Sequence, residues 1–123
     1  MSYPDNNPKT AMGAAKLDLS LVPMSIIIGL AKAMTNGASK YGPFNWRLEK
    51  ISSMVYIAAA LRHIAAWVDG EDYAKDSKVH HLDHAMACLG LLRDAESIDM
   101  LNDNRPPKGA SARLLKETDN STD

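Results

Sequence analysis

Apolar residues recur at helical intervals along three stretches of the chain, with polar segments rich in Pro, Gly, Asn and Asp between them. The first, "PMSIIIGLAKAMTNG", opens at Pro23, where the missing N–H costs nothing, and Asn36-Gly37 offers it a left-handed stop. The loop "ASKYGPFNWRLEK" follows, marked by Gly42-Pro43. A second helix is expected from Ile51 to Val68. Between Met54 and Val68 only the adjacent Arg62 and His63 are strongly polar, and a helix apolar on nearly all sides is a buried one.

The acidic connector "DGEDYAKD" leads to a third helix, capped by Asp76 or Ser77 and continuing to Glu96 or beyond. Residues 1–22, broken by Pro4 and Pro8, read as an arm or irregular lead-in. From Asn102 onward the polar chain with Pro106-Pro107 reads as a mostly disordered tail. Residues 23–101 are thereby the helical domain. No internal repeat is visible.

The second helix offers two apolar stripes: Met54, Ile57, Leu61, Ile64 and Val68 on one side, Tyr56, Ala60 and Trp67 on the other. One small layer of helices cannot cover both. The expectation is an all-α fold, a small bundle of about three main helices completed by a homo-oligomer, dimer or tetramer.

Composition narrows the function. Apolar residues make up 46% of the 123, carried by Ala, Leu, Ile and Met rather than by aromatics, which suits helix packing. A net charge of −1 without a basic stripe gives little support to binding a nucleic-acid polymer or a membrane surface. The single Cys88 excludes an internal disulfide and fits a reducing compartment. With no signal-peptide layout and no apolar run near the roughly 18 residues of a membrane span, a soluble cytoplasmic protein is expected.

Three of the four histidines fall in "KVHHLDHAM". At about 100° per residue, Val79, Leu82, Ala85, Met86, Leu89 and Leu92 share one arc. His81 lies at its border, His84 about 60° further round, and His80 points toward solvent with Asp83. An isolated pair of this kind reads as partly buried, hydrogen-bonded core histidines. Here the pair sits beside Arg62 and His63 on the preceding helix and the acidic Asp69, Glu71, Asp72 and Asp76 between the helices. A buried guanidinium needs a partner, and imidazoles with carboxylates near it suit a divalent metal and a phosphate ligand. HExxH, CxxC, an EF-hand loop, GxxxxGK[ST] and GxGxxG are all missing from the sequence, so any phosphate must be held by side chains and metal ions. "GASKYGPFNWR" adds donors for phosphate or sugar in Lys40, Asn45 and Arg47, and flat surfaces for a base in Tyr41, Phe44 and Trp46.

Taken in order, "KLDLSLVP", "NGASKYGPFNWR", "ALRHIAAWVDGED" and "DSKVHHLDHAM" resemble the bacteriophage dATP/dGTP diphosphohydrolase family, small relatives of the MazG- and HisE-type all-α pyrophosphohydrolases, over roughly residues 16–95. The family pattern falls on Lys40, Tyr41 and Gly42; Asn45 and Trp46; Arg62 and His63; Gly70, Glu71 and Asp72; His81 and His84, and passes over His80. The chain departs from MazG-type enzymes in lacking ExxE, and its one ExxD, Glu96 to Asp99, comes late in the third helix.

The resemblance implies a metal-dependent nucleotide diphosphohydrolase that converts dGTP or dATP to the monophosphate and pyrophosphate, in the host cytoplasm if the gene is a phage's. The expected metal ligands are Glu71, Asp72, Asp76, His81 and His84, with Mn²⁺, Mg²⁺ or Co²⁺ as the ion and His63 beside them. Lys40, Arg47 and Arg62 are expected to face phosphate, and Tyr41, Asn45 and Trp46 the nucleoside. The alternatives are an HD-like triphosphohydrolase and a non-enzymatic helical interaction protein of a phage.

Overall fold

The structure, a computed structural model, describes residues 6–119; Pro4 and the last residues of the tail lie outside the described residues. The fold is all-α, with a single pair of two-residue strands among the described residues.

The lead-in contains regular structure after all. Asn7 accepts a hydrogen bond from the Lys9 N–H and Pro8 fills the first position of α1, Pro8–Ala14, after which a 3-10 turn spans Leu19–Leu21. No residue of either is buried, so the segment borrows nothing from the core.

Helix α2, Met24–Tyr41, runs straight through the stop expected at Asn36-Gly37. It ends instead at Gly42, whose φ of 87° a side chain would oppose and whose neighbour Pro43 cannot continue a helix. The last turn it gains carries Lys40 and Tyr41 into the site. Phe44, at φ 56°, turns the chain into the short helix α3, Asn45–Leu48.

Strand β1, Ile51–Ser52, pairs in parallel with β2, Leu101–Asn102, in the register Ile51 to Leu101 and Ser52 to Asn102. Helix α4, Ser53–Val68, and helix α5, His81–Ser97, form the most extensive helix pair, and α2 packs against α5 as well. Helix α6, Ser111–Glu117, follows β2.

The boundary expected at residue 102 thus falls inside a strand, and the start of the tail is fastened down. Asn104 Oδ1 accepts from the Met54 N–H and the Ser53 hydroxyl, each at 2.9 Å, capping α4 from 50 residues away. The Ser52 side chain makes no such cap.

The core is thin and built of small residues. Trp46, Ile51 and Ala95 form one cluster, ringed by Tyr56, Leu91, Leu92 and Leu101; Ala33, Val79 and Ala87 form another beside Leu30. Met34 touches both. The arc expected on α5 is shifted: Ala87 and Ala95 are buried, while Leu89 faces out. On α4 the face bearing Tyr56, Ala60 and His63 turns inward, leaving Val55, Leu61 and Val68 exposed.

Candidate active site

Three helices and a loop meet at the histidines, and each part is held by local bonding. The acidic connector is no open solvated turn. The Glu71 N–H donates to the Ala66 carbonyl, the His81 N–H to the Asp72 carbonyl, and the Ala74 N–H to the Val79 carbonyl, while Gly70 takes the left-handed φ of 101° that folds the chain back. This folding sets Glu71 beside α5. His80 serves as N-cap of α5, its Nδ1 accepting from the Leu82 N–H at 3.0 Å, and its ring lies edge-on to Tyr73.

His81, only 6% exposed, has both ring nitrogens engaged. Nε2 lies 2.8 Å from Glu71 Oε1, and Nδ1 lies 2.9 Å from Nδ1 of His63 on α4. His84, one turn on, stacks on His63 with centroids 4.5 Å apart and planes 16° apart, and its Nε2 lies 2.7 Å from the Ser77 hydroxyl. The Val79 N–H donates to that hydroxyl, whose remaining donor and acceptor capacity matches either tautomer of His84.

The electrostatics favour neutral rings. Burial lowers the pKa of His63, with His84, His81 and Arg62 adding to it against Asp76. Burial likewise lowers His84, opposed by Asp76. The hydrogen bond from His81 holds Glu71 below the ordinary carboxylate range, so it stays ionised.

His63 and His84 line a cavity of about 470 Å³ between α2, α3, α4 and α5. Of the residues expected to face substrate, Lys40, Tyr41, Asn45, Trp46 and Arg62 all line it. Arg62, read as buried from the apolar helix around it, is exposed in the single chain and free to face the cavity.

Arg47 does not join them. Its guanidinium makes two hydrogen bonds to Asp94, 2.8 and 2.9 Å, and the Trp46 Nε1–H donates to the same carboxylate at 2.7 Å. Arg47 is therefore an anchor of α3 on α5 rather than a phosphate donor. Trp46, 7% exposed, packs in the core and shows the cavity only part of its ring.

The expected metal ligands do not converge. His81 has no lone pair to offer while Glu71 and His63 occupy both nitrogens. Asp72 contributes a backbone carbonyl, and Asp76 Oδ1 accepts from the Ser77 N–H, with Oδ2 4.0 Å from Lys40. Among the described residues no three His, Cys, Asp or Glu side chains form a ready metal cluster. Glu71, Asp72, Asp76, His81 and His84 as arranged do not fit one divalent centre.

Sequence reasoning missed Asp94, Ser77 as a partner of His84, and Asn104. The only signal for Asp94 was that an Arg and an indole N–H in one loop need an acceptor; nothing local says which carboxylate supplies it.

A family model described as dATP/dGTP diphosphohydrolase, N-terminal, matches residues 6–105. No curated protein and no solved structure matches the chain.

Proposed function

Because the chain belongs to the dATP/dGTP diphosphohydrolase family, through its N-terminal model, we propose that it hydrolyses purine deoxynucleoside triphosphates to the monophosphate and pyrophosphate. The observation that carries this reading is one cavity of about 470 Å³ lined at once by two cations, Lys40 and Arg62, and two neutral imidazoles, His63 and His84. Nucleotide sites of this size combine flat apolar walls with a few polar groups that orient the ligand.

In this reading Lys40 and Arg62 offset phosphate charge, Tyr41 and Asn45 shape the nucleoside pocket, and the exposed rim of Trp46 borders it. The substrate is the triphosphate as its divalent-ion chelate, with Mg²⁺, Mn²⁺ or Co²⁺ held by its own phosphate oxygens. The reaction would take place in the cytoplasm of a phage-infected cell and alter its nucleotide pools. No helix among the described residues is long and apolar enough to cross a membrane.

A product assay over all dNTPs and NTPs with each of the three ions tests this. Pyrophosphate and monophosphate from dATP or dGTP support it. Tripolyphosphate would point to a triphosphohydrolase instead. The absence of both turnover and nucleotide-induced stabilisation would leave a helical interaction protein.

The same reading includes a homo-oligomer. On α4, Val55 and Val68 are 61% and 69% exposed, and Ile27 and Ile28 on α2 are also uncovered, a pattern that a second copy would bury. An active monomer of 13.4 kDa by light scattering would contradict it.

A further inference from the structure

We infer that Glu71 and His81 are positioning residues that hold His63 in the tautomer protonated on Nδ1, leaving Nε2 bare to accept a proton from water in the cavity. The hydrogen-bond chain runs from the connector through α5 to α4. An ionised carboxylate only accepts, so the hydrogen between Glu71 and His81 lies on His81 Nε2. With that hydrogen as its only one, His81 uses Nδ1 as an acceptor, and this single-hydrogen state is the premise of the relay. The hydrogen in the 2.9 Å contact between the two Nδ1 atoms must come from His63. By the same count His63 Nε2 keeps its lone pair, and among the described residues it has no hydrogen-bond partner.

The rest of the arrangement fixes the ring rather than the proton. His84 stacks flat against His63, and Ser77 holds His84 in turn. His81 is buried and Glu71 is half-exposed beside it; neither lines the cavity, whereas His63 does. The relay thus runs from an acidic residue outside the cavity to a ring that lines it.

The step is a general-base hydrolysis and rests on the diphosphohydrolase reading above. The water oxygen forms a bond to the α-phosphorus while its proton passes to His63 Nε2. The bond from the α-phosphorus to the bridging oxygen breaks, and its electron pair leaves on pyrophosphate. This assigns Glu71 and His81 a task other than ligation, consistent with the occupied nitrogens of His81.

The tautomers can be read directly in the resting protein. Long-range ¹H–¹⁵N NMR at about pH 7.5, above the ordinary histidine range, separates a protonated ring nitrogen from a bare one. The expected pattern is a protonated Nδ1 and bare Nε2 on His63, with the reverse on His81. A protonated Nε2 on His63, or a doubly protonated His81, overturns the relay.

Kinetics then test its use. Glu71→Gln keeps the shape but can present an N–H to His81, which would reverse both tautomers. It should lower kcat about 100-fold or more with KM within a few-fold, as should His63→Ala. Glu71→Asp, which keeps the charge, should recover part of the loss. A Glu71→Gln variant with wild-type kcat overturns the proposal. A wild-type protein with no turnover on any nucleotide sinks the diphosphohydrolase reading and the base role together, whereas wrong tautomers in an active protein sink the relay alone.

Discussion

His81 and Asp94 stand near opposite ends of α5, and each draws partners from other elements, yet the two clusters differ in kind. Around Asp94 both carboxylate oxygens are engaged: Arg47 binds it twice and Trp46 once, and the carboxyl is held down at about 2, chiefly by Arg47. Its partners do not change charge near neutral pH, so the cluster is an anchor for the α3 loop. Around His81 the partners are the Glu71 carboxylate and the His63 imidazole, whose pKa burial lowers, and the chain of bonds ends on a ring at the cavity rather than on a closed pair. A saturated polar cluster fixes position. One left open at a cavity can do chemistry.

The largest expected effect breaks this contrast from the histidine side. His63→Ala should cut kcat about 100- to 10,000-fold while the melting temperature stays close to wild type. An equal loss of stability would make His63 structural. From the other side, Trp46→Ala should cost about 3–5 kcal/mol of stability, because it empties the centre of one core cluster. Chemical denaturation measures this, and a loss below about 1 kcal/mol would show that the site collapses around the gap.

Acid should separate the two clusters more gently. An unfolded histidine binds its proton near pH 6.5, whereas folded His63 and His84 resist until a lower pH. The unfolded chain therefore holds more protons in that window, and stability falls as pH drops through about 6.5 toward the lowered folded values. Asp94 loses its contribution only below the ordinary 3.8, as pH falls toward about 2. Thermal melts from neutral to mildly acidic pH should show the first decline, flattened in His63→Ala and unchanged in Asp94→Asn. The same slope in both variants and the wild type would refute the assignment.

The smallest effect belongs to His80. Its ring caps α5 and touches neither the cavity nor the relay, so His80→Ala should cost about 1 kcal/mol and leave kcat within a few-fold. A loss of activity matching that of His63→Ala would mean that the cap governs the site.

Periodicity was enough to read the three main helices, α2, α4 and α5, but not the short α1, α3 and α6. Periodicity also began the third too early: the cap is His80 rather than Asp76 or Ser77, because residues 74–79 fold into the turn closed by Ala74 and Val79. It misplaced the end of α2, because Asn36-Gly37 is a permissive stop and Gly42-Pro43 an enforced one, and a local signal cannot rank them until the last turn packs. The family motifs were equally legible, since Lys40, Asn45, Arg62 and His63 carry rare chemistry at recognisable spacing. Their partners were not. That Arg47 is spent on Asp94, that Asn104 caps α4, and that Glu71 reaches His81 all depend on contacts between residues that pattern does not link.

The amino-acid order alone therefore indicated the three main helices, the family, and that His80 lies outside the pattern carried by His81 and His84. Local geometry, propensity and side-chain chemistry act within a few residues and need no partner. Tertiary structure decided which nitrogen of each histidine is occupied, which arginine faces the cavity, and which carboxylate each donor meets. Those outcomes follow from how α4, α5 and the connector pack, and hydrogen-bonding capacity is directional: a lone pair is available or spent according to a neighbour that the sequence places anywhere along the chain.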